Sequence, residues 1–248
     1  MDALFRLSSV SVLFERHAIE RRTLKYRLRA LYGQNRNGDR FAALSNVTLV
    51  IREGEHVGVI GRNGAGKSTL LRVLAGVIAP QGGLISVDRS KRIVPLLELG
   101  IGFQPDLSGR ENCFLAGLLL GYTRAEIEAR IDGIRSFAEL GDFFDEPVKE
   151  YSSGMFARLA FALATDVEPE VLLVDEVFGV GDEFFMRRCV ARMQRLMRQG
   201  KTTVFVSHNV DFLVAQCSRL IWLDQGRIVR DGDPKEVADA YRRSEGVS

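Results

Sequence analysis

The chain has 248 residues, of which 46% are hydrophobic and 27% charged, and its net charge is +2, values typical of an ordinary soluble globular protein. Three scattered cysteines without CxxC spacing indicate neither a disulfide framework nor a zinc site, which favours a reducing cytosol. The N-terminus lacks the apolar core of a signal peptide, and no segment approaches the roughly 18 apolar residues of a membrane span, so another chain must cross any membrane.

The first half of the chain begins with strand patterns. Leu7 to Phe14 alternates and contains β-branched residues, which predicts an edge strand. Ala43 to Ile51 and His56 to Ile60 predict two further strands, joined by a turn at Arg52 to Glu55.

A basic segment separates the first two predicted strands. Between Glu15 and Arg40 there are eight Arg or Lys residues and three acids. Leu24, Leu28 and Leu31 fall on one helical face together with Tyr32, which predicts an amphipathic helix. Two interpretations stay open: a helix at a lipid headgroup interface, or a helix packed on the domain with a solvated basic face. The cations in question are Arg21, Arg22, Lys25, Arg27 and Arg29.

The third predicted strand runs into a glycine-rich loop. Residues Gly61-Arg62-Asn63-Gly64-Ala65-Gly66-Lys67-Ser68 fit the phosphate-loop pattern G-x-x-x-x-G-K-[ST], and Thr69 to Ala75 follows as a helix. The glycines let backbone N–H groups turn toward a triphosphate, while Lys67 adds a fixed positive charge. Ser68 supplies a hydroxyl for Mg²⁺. The loop therefore predicts a nucleoside triphosphate site.

The second half alternates helical and strand patterns. Thr123 to Glu126 is a capping box, and Ile127, Ile131 and Ile134 follow at helical spacing. Continuous apolar runs later in the chain are typical of central parallel strands covered on both faces. The remaining predicted elements are a helix at Met155 to Ala164, strands at Val171 to Val174 and Thr203 to Val206, a hairpin turn at Asp224 to Gly226 and a helix at Pro234 to Tyr241.

Two of these strands are followed by residues whose side chains could bind a metal ion or take part in catalysis. Asp175 and Glu176 follow one apolar strand, where one carboxylate can reach Mg²⁺ and the other can polarise the attacking water. The alternative is two acids that cap the next helix. His208 ends the neighbouring strand, where it can hydrogen-bond a γ-phosphate.

The segment Tyr151-Ser152-Ser153-Gly154-Met155 opens an apolar helix pattern. Ser152 precedes Asp175 by 23 residues, and Asp175 precedes His208 by 33 residues. Here the chain resembles the ATP-binding cassette (ABC) ATPases. The resemblance implies an α/β fold: a P-loop NTPase (RecA-like) ABC nucleotide-binding domain with an antiparallel β edge and an inserted helical subdomain. We expect the ATP-binding core at 1–97 and 166–248, the basic insertion at about 15–40 and the helical subdomain at 98–165.

Variant motifs narrow the resemblance to ATPases that export polysaccharides and polyol phosphates. These motifs are Tyr-Ser-Ser-Gly-Met, Leu-Ser-Gly-Arg-Glu-Asn and Val-Asp-Glu-Val-Phe-Gly-Val-Gly-Asp. By that resemblance Ser152, Ser153 and Gly154 act on a nucleotide held by a second subunit, and Gly181-Asp182 contacts that subunit. Glu176 is the catalytic base and His208 the switch histidine.

Two positions depart from the family pattern. The glutamine that usually contacts Mg²⁺ would fall at Leu99, so the adjacent Glu98 is the preferred equivalent and Gln104 the alternative. The aromatic residue that stacks on adenine would be Phe14, which is equally suited to a core position.

The resemblance implies an ATPase that binds ATP and Mg²⁺ and works as a homodimer on two copies of an integral membrane permease. Its cargo would be a lipid-linked polysaccharide such as O-antigen, moved from the cytoplasmic face of the bacterial inner membrane, with no nucleic acid partner. The alternatives are an ABC ATPase for a lipid or drug, or a soluble ABC ATPase that serves no transporter. Because the sequence ends soon after Tyr241, we expect no carbohydrate-binding domain.

Overall fold

The computed structural model describes residues 3–15, 40–97, 102–166, 169–175 and 183–246. Within these ranges the chain forms two β-sheets and a set of helices. The strands are β1 (Ala3–Glu15), β2 (Arg40–Arg52), β3 (His56–Ile60), β4 (Gly82–Val87), β5 (Ile93–Leu96), β6 (Val171–Asp175), β7 (Thr202–Val206), β8 (Arg219–Asp224) and β9 (Arg227–Gly232). The α-helices are α1 (Lys67–Leu74), α2 (Gly109–Leu119), α3 (Arg124–Ala138), α4 (Ser153–Asp166), α5 (Glu183–Arg198), α6 (Val210–Gln216) and α7 (Pro234–Ser244).

The larger sheet has six strands in the order β5-β6-β7-β3-β8-β9. All neighbours are parallel except β8 and β9, which form an antiparallel hairpin. Every residue of β7 is buried, as are the first four of β6 and the last four of β3. Burial on both faces explains the continuous apolar runs, and it confirms the prediction of central parallel strands.

The smaller sheet has the order β2-β1-β4 and is antiparallel. The prediction that Leu7 to Phe14 is an edge strand was wrong, because β1 lies in the middle of this sheet. Its alternation reflects burial of one face, which a middle strand of an antiparallel sheet shares with an edge strand. The edge strands are β2 and β4, and in β4 Leu84 is 76% exposed.

The ends of β1 and β2 mark the position of the basic segment. Glu15 pairs with Arg40 at the open end of this antiparallel pair. The predicted helix with Arg21, Arg22, Lys25, Arg27 and Arg29 lies outside the described residues.

Helices α2, α3 and α4 occupy the chain between β5 and β6. Helix α3 begins with the predicted capping box of Thr123 and Glu126, and its apolar face is buried. A second capping box, Ser108 with Glu111, begins α2 and was not predicted. None of the helices in the described ranges combines the length and hydropathy that a bilayer span requires.

Candidate functional site

The predicted phosphate loop joins β3 to α1, at the carboxyl edge of the parallel strands. Gly66 is the N-cap of α1 and has a φ of +104°, in the left-handed region. A Cβ at Gly66 would lie 2.3 Å from the Ala43 carbonyl oxygen, so only glycine fits there. Helix α1 can therefore start directly at the loop, with its free N–H groups directed at the loop opening.

The loop encloses the amine of Lys67, a buried residue that is only 6% exposed. Lys67 Nζ donates hydrogen bonds to the carbonyl oxygens of Gly61, at 2.7 Å, and Arg62, at 3.0 Å. The Ala65 N–H donates to the Arg62 carbonyl oxygen at 3.1 Å and closes the turn. These contacts hold a positive charge at a defined place inside the loop.

A cavity of about 250 Å³ lies on the loop. It brings His208, which follows β7, together with the loop residues predicted to bind phosphate. A second cavity of about 830 Å³ also includes Asn63, Gly64 and His208 and extends past the loop to Trp222 and Tyr241. The smaller cavity is lined by Phe41, Ala43, Asn63, Gly64, Gly66, Lys67, Ser68, Thr69 and His208.

The sheet register places the predicted metal carboxylate at the same edge. Asp175 is the last residue of β6 and pairs with Val206 of β7, which in turn pairs with Val59 of β3. Only β7 therefore lies between the strand that ends in Asp175 and β3, the strand that enters the phosphate loop. Glu176, the predicted base, follows Asp175 directly but lies outside the described residues.

The residues at this edge fit a magnesium ion. A serine hydroxyl and a carboxylate are the hard oxygen donors that Mg²⁺ accepts, with phosphate and water oxygens as its other ligands. The described residues contain no group of three or more His, Cys, Asp or Glu that could hold a metal. Ser68 and Asp175 would hold the ion. Glu98, the third predicted ligand, lies outside the described residues.

Gln104, the alternative to Glu98, is exposed, and its backbone is held by the buried Asn112 of α2. The Gln104 N–H donates to Asn112 Oδ1 at 2.6 Å, and Asn112 Nδ2 donates to the Gln104 carbonyl oxygen at 3.0 Å. These bonds tie Gln104 to the start of α2.

An aromatic pair lies near the loop. Phe14 of β1 stacks on Phe41 of β2, with ring centroids 5.8 Å apart. Phe41 is 46% exposed and lines the cavity on the phosphate loop, whereas Phe14 is not among the lining residues of that cavity. The sequence interpretation missed Phe41 because the basic segment separates it from Phe14 along the chain. The two residues are partners in the pairing of β1 with β2, and a prediction of that pairing would have identified Phe41.

Ser152, Ser153 and Gly154, predicted to act on the nucleotide of a second subunit and called the signature residues from here on, lie at the start of α4. Ser152 Oγ accepts a hydrogen bond from the Met155 N–H at 3.2 Å, so Ser152 also serves as a simple helix N-cap. Ser152 and Ser153 are exposed. Ser152, Gly154 and Arg158 line a cavity of about 330 Å³ that includes none of the phosphate-loop residues. In one chain the signature and the phosphate loop thus face separate cavities.

The approach to α4 is anchored from the other side. The Tyr151 hydroxyl donates to the Phe143 carbonyl oxygen at 2.7 Å, and burial raises the pKa of Tyr151 to about 12. Tyr151 therefore stays a neutral donor at physiological pH and fixes the residue that precedes Ser152.

Comparisons with known proteins agree with this geometry. The ABC transporter family matches residues 44–179. The chain is 46% identical to the O-antigen export system ATP-binding protein RfbB of Myxococcus xanthus, over 98% of this chain and 56% of that protein. It is 38% identical to the teichoic acids export ATP-binding protein TagH of Bacillus anthracis, over 87% of this chain and 39% of that protein. The chain thus spans about half the length of these relatives, or less.

Solved structures show the same fold. The dimeric, post-hydrolysis structure of the ATP-binding cassette MJ0796 with ADP and Pi superposes with a TM-score of 0.74 at 23% identity, covering 93% of this chain and 98% of that one. At that identity the likeness establishes the α/β cassette fold alone. Together with the match to residues 44–179, it confirms the resemblance read from the motifs. The chain belongs to the ABC transporter family.

Proposed function

We propose that the chain is the ATP-hydrolysing subunit of an ABC exporter that moves a lipid-linked polysaccharide, such as O-antigen, across the inner membrane. The observation that carries the proposal is the convergence of the phosphate loop, Asp175 and His208 at one sheet edge. The names of the two relatives, which specify export of O-antigen and of teichoic acids, support the substrate class.

In the proposed site the loop binds the phosphates of ATP. Lys67 and the N-terminal N–H groups of α1 supply positive charge, while Asn63 and Gly64 lie in both cavities that meet at the loop. Mg²⁺, when bound by Ser68 and Asp175, neutralises charge on the phosphates. Glu176 accepts a proton from the water that attacks the γ-phosphorus in line, ADP leaves, and His208 hydrogen-bonds the γ-phosphate.

Each complete site requires two copies of the chain. Ser152 and Gly154, at the start of α4, line a cavity separate from the chain's own phosphate loop, and the exposed Ser153 lies between them in sequence. Such a helix start is a phosphate-binding element in its own right. In a homodimer it would cover the γ-phosphate of ATP held by the partner, so ATP would join the two copies and its hydrolysis would release them.

An apolar cavity supports docking of a membrane permease, of which we propose two copies per dimer. It measures about 290 Å³ and lies between β5 and helices α2 and α4. Val77 and Leu119 at its rim are largely exposed, and Phe103 and Leu96 lie deeper. Its size and apolar walls suit one turn of an amphipathic helix from a cytoplasmic loop of the permease. The chain would then sit peripherally on the cytoplasmic face.

The adenine contact is proposed for the Phe14–Phe41 pair. Either ring offers a face for stacking on the base, and Phe41 is the one that lines the cavity on the loop.

An ABC ATPase for a lipid or drug, or a soluble ABC ATPase without a permease, would use the same nucleotide residues. Co-purification of an integral membrane protein with the tagged chain separates transport from the soluble class.

The test of the ATPase mechanism is Glu176→Gln. This variant removes the proposed base and keeps the side-chain shape, so ATP should bind and turnover should fall by about 100-fold or more. Size-exclusion chromatography should then reveal a dimer that forms with ATP and not with ADP. Turnover within a few fold of the parent chain would contradict the role of Glu176.

The export test is deletion of the gene followed by complementation. Loss of a surface glycan, with its lipid-linked precursor retained inside the cell, is the expected result, and Lys67→Ala should fail to restore it. Accumulation of a different compound class, such as a lipid without sugar, would favour the alternative ABC transporter.

A further inference from the structure

The turn between β8 and β9 contacts the phosphate loop from behind. The Gly226 N–H donates to the Ala65 carbonyl oxygen at 2.9 Å, in the middle of the loop. The Gly226 carbonyl oxygen accepts from the Ser45 N–H of β2 at 2.8 Å. Through its two backbone groups, one residue thus connects the loop to the smaller sheet.

Residue 226 has no room for a side chain. Its φ is +75°, and Gln225 before it has a φ of +45°, as a two-residue hairpin turn requires. A Cβ at Gly226 would lie 2.8 Å from the Ala43 carbonyl oxygen and 3.1 Å from its carbonyl carbon. Ala43 lies in β2 between Ala42 and Leu44, which pair with Leu13 and Val12 of β1, and its carbonyl oxygen also lies against Gly66, so a shift of its backbone would disturb the phosphate loop.

The same carbonyl oxygen of Ala43 also lies against Gly66 of the phosphate loop, where a Cβ would come within 2.3 Å of it. The phosphate loop, β2 and the β8–β9 turn therefore meet through backbone atoms: Gly226 bonds Ala65 and Ser45, and the Ala43 carbonyl oxygen lies against both Gly66 and Gly226. Ala65 is itself buried. A displacement of the turn by a few tenths of an ångström is passed to the Ala65 carbonyl and to the N–H groups beside it.

We propose that Gly226 is a positioning residue of the nucleotide site. It is not among the residues that line the cavity on the loop, and its N–H holds the Ala65 carbonyl oxygen in the middle of the loop. Since phosphate recognition depends on the direction of those N–H groups, small displacements weaken binding. The inference rests on the proposed ATPase function, in that it assigns Gly226 to the same site.

The test compares Gly226→Ala with Gly200→Ala in the purified chain. Gly200 has a φ of +78°, and a Cβ there would meet no atom within 4 Å, so this control carries the backbone strain without the clash. For G226A we expect ADP affinity by calorimetry to fall about tenfold and KM for ATP to rise equally, with kcat at saturating ATP within about threefold. G200A should bind ADP like the parent chain.

A second variant covers the case in which G226A does not fold. Ser45→Pro removes the N–H that donates to Gly226, at an irregularity in the pairing of β2 with β1, and it leaves the loop and the turn unchanged in sequence. We expect a weaker ADP affinity here too, by about threefold or more. ADP affinity within twofold of the parent in the folded variants overturns the proposal. A parent chain that neither binds ADP nor hydrolyses ATP would instead refute the proposed function.

Discussion

The C-terminal end of α4, the helix that carries the signature residues, is held by a carboxylate between two arginines. Asp166 Oδ1 lies 2.6 Å from Arg192 Nη2 of α5, and the Asp166 carbonyl oxygen accepts from Arg130 Nη1 of α3 at 2.7 Å. The Asp166 and Arg192 side chains are only 16% and 12% exposed. Arg192 also covers the ring of Phe137, 4.8 Å from its centroid. Three helices are thus joined at Asp166, whose carboxylate binds Arg192 closely and Arg130 at the longer distance of 3.7 Å.

The contact geometry sets the expected cost of Asp166→Ala. At 2.6 Å and an effective dielectric of about 20, the direct attraction is about 6 kcal/mol before desolvation is subtracted. Removing one partner of a buried pair typically costs about 3–5 kcal/mol, because the other charge stays buried without compensation. The residual exposure of both side chains places D166A at the lower end, at about 3 kcal/mol. In a chain of this size that corresponds to a melting temperature lower by about 6–12 °C.

The assay is urea unfolding of D166A beside a matched control, Glu183→Ala. Glu183 and Arg187 form an ion pair of similar length, 2.7 Å, in which both side chains are more than three-quarters exposed. The control should therefore change the free energy of unfolding by less than about 1 kcal/mol. A double mutant with R192A should be less destabilised than the sum of D166A and R192A. If D166A costs no more than the control, the carboxylate does not join the helices as described.

Three further predictions concern pH, thiol reactivity and the basic segment. Burial lowers the pKa of His56 from 6.5, so the unfolded chain binds more protons below that pH. The free energy of unfolding should then fall as the pH drops through about 6.5, and His56→Gln should reduce that fall. Burial raises the pKa of Cys113 and Cys217 to about 12, so at pH 8 iodoacetamide should modify them about 1000-fold more slowly than in urea, and equal rates would contradict their burial. Neutralising Arg21, Arg22, Lys25, Arg27 and Arg29 together should impair polymer export and spare basal ATPase activity, and unchanged export would refute a membrane role for the segment.

The elements that the sequence predicted well are those with strong local signals. The loop pattern, the capping box at Thr123 and the buried runs at Val171 and Val204 each depend on neighbours in sequence. The errors concern partners distant in sequence. Whether β1 is an edge or a middle strand depends on β4, more than sixty residues later, and the Phe14–Phe41 stack depends on pairing across the basic segment.

The same distinction applies within the site. Ser68, Lys67 and Gly66 follow from a motif, because the roles proposed for them require fixed spacing along the chain. Gly226 carries no motif, since its role arises only when β8 returns beside β3 and places the turn behind the loop. A residue that acts through backbone contacts to a distant segment is visible only in three dimensions.

These positions also divide the proposed work of the chain. In the proposed function the phosphate loop, Asp175 and His208 would bind groups that every nucleoside triphosphate carries, so they would determine when two copies close and not which polymer is moved. The apolar cavity beside α2 and α4 offers shape and hydrophobic surface, which suits a protein helix rather than a sugar chain rich in hydroxyl groups. On this proposal, selection of the polymer would fall to the permease or to segments beyond these cavities. Exchanging the permease for that of a related exporter should change the exported glycan, whereas exchanging residues 40–97 of the ATPase should not.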